Sequence, residues 1–216
     1  DFFAHDPALL IKRDLYDLAG LRSIELYSSE DYDMLIRLAR VARPVSTQQV
    51  IFDQRVHDGD RGKKGFEYSS DQRELNWQRE ERLIFAKLYD ELGLEEYLPH
   101  SLRPAFEQGN ATHRRALIQR GVVFCRRNMW DQAIADLTAA AQILPETPLS
   151  APELAMTRAV SNAKYGCRDL VEDMTVTARL QQLKARSAIG TELVASIARG
   201  LVWRNRESSS QRDWSS

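Results

Sequence analysis

Between Arg114 and Thr147, small and apolar residues recur at the spacing of two antiparallel helices in contact: Leu117, Gly121 and Phe124, then Ala133, Leu137 and Ala140, closed by Pro145. Residues three and four apart share one helical face, so each trio forms a stripe that must be covered. A glycine inside such a stripe lets a neighbouring backbone come close, because any side chain would hold the helices apart. Gly121 is therefore expected at the crossing of the pair. The signal also returns downstream. ALIQRGVVF at 116–124 and ASIARGLVW at 195–203 share their alanine, isoleucine, arginine, glycine, second valine and closing aromatic, which aligns Gly200 and Trp203 with Gly121 and Phe124.

A looser unit lies between these two. Ser150 and Glu153 form a capping box around Pro152 ahead of a helix containing Ala159, Gly166 marks a turn, and Val171, Thr175 and Ala178 keep the spacing of a second helix. Thr175 and Asn162 stand where larger apolar or aromatic groups would pack better. The pattern over 114–205 resembles the tetratricopeptide repeat family. In the first unit seven of eight signature positions hold an acceptable residue, the exception being Arg120 where a leucine is usual. The resemblance implies an all-α fold in which residues 111–206 form a short right-handed superhelix of about two and a half helical pairs.

It also implies where a partner would bind, on the concave surface lined by the first helix of each unit. Carried over position by position, that surface is Arg115, Ile118, Val122, Cys125 and Arg126 in the first unit. Glu153, Met156, Val160, Ala163 and Lys164 follow in the second, and Val194, Ile197, Leu201, Arg204 and Asn205 in the partial third. The expected strip is apolar with a basic edge. Some relatives use a lysine and asparagine clamp for a peptide carboxylate, but Ile118 and Val122 occupy the clamp positions here. The strip better suits a segment with an apolar face and some acidic residues, or this chain's own acidic first half.

The first 110 residues read as helices of another kind. Asp6-Pro7 predicts a helix start, Leu9, Leu10, Leu15 and Leu18 its apolar face, and Gly20 its end. Another helix is expected from Ser29 through Met34, Leu35, Leu38 and Val41 to the Arg43-Pro44 stop, and a third from the Ser46–Gln49 capping box to about Val56. Residues 57–70 carry three glycines without periodicity and predict a flexible loop. A long helix over about 71–92 follows, with Leu75, Leu83, Ala86, Leu88 and Leu92 as apolar positions and Gly93 as C-cap. Pro99 and Pro104 break the connector to Asn110, and residues 207–216 form a polar tail.

Chemistry is hard to find. The loop Gly59–Gly65 lacks the spacing and hydroxyl of a phosphate-binding loop, and Asp58 with Asp60 lacks the further ligands of a calcium loop. His5, His57, His100 and His113 are too far apart for a metal site, and adjacent pairs such as Glu80-Glu81 diverge on a helix. Cys125 and Cys167 are expected to be reduced thiols inside helices. No catalytic, cofactor or metal site is therefore expected. Residues 1–110 hold 15 basic and 21 acidic residues, and 111–216 hold 15 and 10, so a weakly basic second half leaves RNA as an alternative partner. The longest apolar run, Leu193–Trp203, is interrupted by Arg199 and falls short of a membrane span. The expected role is a non-catalytic scaffold or accessory subunit binding other proteins of a larger complex. A start at Asp1 agrees with a removed targeting segment, so the expected place is an organelle, a mitochondrion before a plastid, with the cytoplasm as alternative.

Overall fold

The computed structural model describes residues 8–47, 49, 50, 53, 70–163 and 169–210, without the side chains of 70–73, 171 and 203–210. Helices make up the regular structure among them and no strand is present: α1 (Asp14–Ala19), α2 (Glu30–Val41), α3 (Ser70–Glu91), α4 (Ala111–Cys125), α5 (Trp130–Ala140), α6 (Ala151–Arg158), α7 (Asp169–Glu172), α8 (Met174–Arg186) and α9 (Ala188–Ser210). The fold class is all-α. The chain divides into compact units at Ala86/Lys87, inside α3 rather than near 110.

In the first unit, α2 opens on acidic Glu30, Asp31 and Asp33 and ends on Arg40, an order that complements the helix dipole. It buries Met34, Leu35 and Leu38 as its spacing predicts and Tyr32 besides, whereas the expected Val41 is exposed. The Glu80 carboxylate on α3 holds the turn before it, accepting from the Tyr27 and Ser28 backbone N–H groups at 2.9 and 2.8 Å and from the Ser28 hydroxyl at 3.0 Å. Arg37 joins α2 to the end of α1, donating to the carbonyls of Ala19 and Leu21 and to Asp33.

Four expectations for residues 1–93 change. The first helix is only six residues long and buries nothing, and Leu10 and Leu18 are exposed. Apolar spacing gives a helix something to bury but no surface to bury it against, and short helices depend on that surface. Its expected start at Asp6-Pro7 lies outside the described residues. The third helix is absent where the chain is described: Ser46, Thr47, Gln49, Val50 and Asp53 are not helical, and the Gln49 N–H bonds the Thr47 hydroxyl locally. Along α3 the expected Leu88 is buried, but with Glu81, Ile84 and Phe85, whereas Leu75, Leu83 and Ala86 are exposed. Gly93 caps a following 3-10 turn instead of ending α3 in a left-handed conformation. The predicted loop 57–70 lies outside the described residues except for Ser70, which starts α3.

The second unit begins with the last turn of α3, two 3-10 turns at Leu94–Tyr97 and Arg103–Ala105, and then α4. These connector residues belong here because Tyr89 stacks edge-on against Phe124, with ring centroids 5.0 Å apart, and Leu98 is buried. Asn110 caps α4 by accepting from the His113 N–H, and the His113 ring accepts the Gly109 N–H at 2.9 Å. At the crossing of α4 and α5, the space a side chain would fill at Gly121 lies 3.2 Å from the Ala133 carbonyl and from Leu137. Asn128, with φ of 56°, turns the chain between them, and Leu144 and Pro145 follow α5.

Downstream, the Ser150–Glu153 capping box opens α6 as expected. The second helix of that unit is split, because Asp173 accepts the Thr175 and Val176 N–H groups and starts α8 afresh after the short α7. Gly166 and Cys167 lie outside the described residues. The third element is a 23-residue helix, α9, that runs to Ser210, past the expected tail boundary at 207. α6 packs on α4 and α9, while α8 packs mainly on α5, α7 and α9. α4, α6 and α9 thus form one row of neighbours and α5 and α8 a second, but α6 and α8, expected as the two helices of one unit, do not pack as a pair: each packs on α9 instead.

Candidate partner-binding surface

The row of first helices is joined by a buried ion pair. Arg114, 2% exposed near the start of α4, spends every guanidinium N–H inside the unit. Nε and Nη2 reach the Glu153 carboxylate at 2.8 and 3.1 Å, and the remaining donors reach the carbonyls of Leu144, Thr147 and Pro148. Glu153 also accepts from the Ser150 N–H and hydroxyl at 2.7 and 2.6 Å. Burial alone would raise its pKa, but the bonds from Arg114 and Ser150 take it below the ordinary 4.5. One carboxylate therefore closes the α6 cap and fixes the α5–α6 loop on α4.

A second pair involves Arg120, the residue that stands out of the apolar pattern of α4. Its guanidinium meets Asp136 on α5 through two bonds of 2.7 Å and lies over the Tyr89 ring, 4.3 Å from the centroid, with Tyr97 5.9 Å away. The charge of Arg120 is thus met inside the unit by the Asp136 carboxylate. Burial pushes the Tyr97 hydroxyl up to about 12 and holds Asp136 above the ordinary 3.8 despite the pull of Arg120. Thr157 and Ser196 link α6 to α9 through a hydroxyl pair at 2.7 Å, in which Thr157 donates and Ser196 in turn donates to the Leu154 carbonyl at 2.9 Å.

The apolar members of the expected strip do not line a groove. Ile118, Val122, Cys125, Val160 and Ile197 are buried, as are Glu153 and Ala163. α4 packs on α6 and α6 on α9, and with these side chains buried the row presents no open apolar wall at these positions. Arg115, Arg126, Met156, Val194 and Leu201 remain half-exposed. Lys164 lies outside the described residues, and Arg204 and Asn205 sit on α9 with side chains outside the description.

The reachable face of α4 is shifted instead to Arg115, Gln119, Val123 and Arg126, all half-exposed and repeating every three to four residues. Arg126 donates to the Asn162 carbonyl at 3.0 Å, and Arg115 Nε finds no hydrogen-bond acceptor among the described residues. The surface is therefore more polar than the strip expected from the sequence. Cys125 is a free thiol, and burial pushes its pKa far up, which suppresses the reactive thiolate.

Electrostatics changes with the unit boundary as well. Residues 1–86 hold 13 basic and 16 acidic residues and 87–216 hold 17 and 15, so the second unit is only +2. Such a balance gives little general attraction for a polyanion. No helix among the described residues is long and apolar enough to cross a membrane. In comparisons with known proteins, no family model, no curated protein and no solved structure matches the chain.

Proposed function

We propose that this chain is a non-catalytic scaffold or accessory subunit whose tetratricopeptide-like second unit binds other proteins of a larger, organellar complex. The observation that carries the reading is the two-row packing, in which α4, α6 and α9 are neighbours and leave a mixed polar and apolar edge of Arg115, Gln119, Val123, Arg126, Met156 and Leu201 half-exposed. Helical arrays of this kind use such edges to hold extended or helical segments. An RNA-associated structural role is the alternative, and it rests on Arg115 and Arg126 sharing one face of α4.

Native mass and copurification separate these readings. A scaffold travels with a defined set of proteins at high salt and runs far above 24.8 kDa. RNA retention that collapses as salt rises would support the alternative, since phosphate contacts weaken steeply with ionic strength. A clean monomer that retains neither protein nor RNA at low salt would overturn both.

A further inference from the structure

A cleft of about 300 Å³ opens between α5 and α8, on the row opposite the first helices. Its cause is local. Ala135 and Thr138 present small side chains on α5, while Ile134 and Leu183 close the bottom and are buried. Arg179, Gln182 and Arg186 stand along one face of α8, spaced by three, four and seven residues. The floor is apolar and the rim is cationic.

The charge is only partly answered. Arg179 pairs with Asp131, whose own side chain is mostly in solvent, and Arg186 makes no ion pair among the described residues. We propose that this cleft is a second docking site, which takes a short extended segment of a partner protein carrying an apolar residue flanked by carboxylates. The apolar residue would rest on Ile134 and Leu183, with the carboxylates meeting Arg186 and, in exchange with Asp131, Arg179. α8 rises about 10 Å between the two arginines and an extended chain about 3.3 Å per residue, so acids roughly three residues apart fit the span. No aromatic ring lines the cleft for base stacking, which favours a peptide over a nucleic-acid strand. The site does not depend on the α4 edge and would stand if that edge were vacant.

Fluorescence anisotropy of the full chain with a labelled SELAELGS peptide tests the idea, with SKLAKLGS and a labelled eight-nucleotide RNA as controls. The acidic peptide is expected to bind, the basic one not to, and Arg186→Ala to weaken binding by about fivefold or more. Ala135→Trp, placed at an exposed position, should fill the cleft and remove binding while circular dichroism stays unchanged. Absent binding, equal binding by both peptides, acidic-peptide binding that survives Ala135→Trp, or RNA binding that Arg186→Ala abolishes would each overturn the proposal.

Discussion

The two glycines of the repeated nine-residue motif should respond differently to one added methyl. At Gly121 a Cβ would lie 3.2 Å from the Ala133 carbonyl and Leu137, tight but open to relief by small shifts. At Gly200 it would lie 2.8 Å from the Ser161 hydroxyl and closer still to the Arg158 carbonyl oxygen, which is backbone and already accepts from Ser161. Replacing a mid-helix glycine by alanine gains about 1 kcal/mol of propensity. Overpacking against backbone costs about 3 kcal/mol at the upper end of the usual range. The balance is a loss of about 2 kcal/mol for Gly200→Ala and a change within about 1 kcal/mol for Gly121→Ala. Urea denaturation followed at 222 nm measures both, with the Gly200→Ala midpoint falling while the slope stays constant. The melting temperature should drop by roughly 6 to 12 °C for that variant alone. A Gly200→Ala protein at least as stable as the parent, or a larger loss at Gly121, would refute the placement of α9 against α6.

The buried pairs give further tests. Arg114→Met should destabilise by about 3–5 kcal/mol because Glu153 is left buried without its partner, and adding Glu153→Leu should recover most of that loss in the same urea assay. Glu153 titrates below its ordinary 4.5, so its contribution is complete above that pH and fades as pH falls through the lowered value, whereas Asp136, raised above 3.8, works in the opposite sense. The informative quantity is therefore the stability difference between the parent and Glu153→Gln, which should be constant above pH 4.5 and shrink below it. Arg120→Leu installs the residue the repeat pattern favours yet should cost about 3 kcal/mol, and only the double change with Asp136→Leu should restore melting. Cys125, 1% exposed, should resist thiol reagents in the native protein and react at the rate of unfolding, as peptide mapping after alkylation would show.

What the sequence discloses here is whatever depends on near neighbours along the chain. The Gly121 crossing, the Ser150–Glu153 box and the buried face of α2 each rest on spacings of three or four residues, and each is present. Choices between equally periodic faces were not legible. On α3 the expected set holds Leu88, which is buried, together with Leu75 and Leu83, which are exposed, while Ile84 and Phe85 satisfy helical spacing equally well, and only packing decides that these two join Leu88 inside. The same limit explains why the repeated motif has two uses: Gly121 meets the second helix of its own pair, and Gly200 meets the preceding first helix. Arg120 was visible as an oddity, but its partner Asp136 lies 16 residues away and no local rule pairs them. The two adjacent carboxylates at the middle of α3 did follow local geometry: they diverge, Glu80 to the Ser28 turn and Glu81 to a buried position.

Most apolar members of the expected binding strip are buried, for a reason that also indicates where binding remains feasible. Apolar first-helix positions line a groove only if successive first helices splay apart. Here Arg114 on α4 engages Glu153 and three carbonyls of the loop leading into α6, so the start of α6 is held on α4, and Ile118 and Val122 on α4 are buried. Apolar contacts alone would tolerate sliding by a turn, because hydrophobic attraction is not directional. A bidentate arginine with every donor satisfied does not tolerate it. If those polar pairs fix the register, then loosening them by Arg114→Met should expose Ile118 and Val122 to solvent before the α4–α5 pair melts. Amide hydrogen exchange would then rise first in α6 and at the 144–148 loop, and uniform exchange across α4, α5 and α6 would show that the ion pair does not set the register.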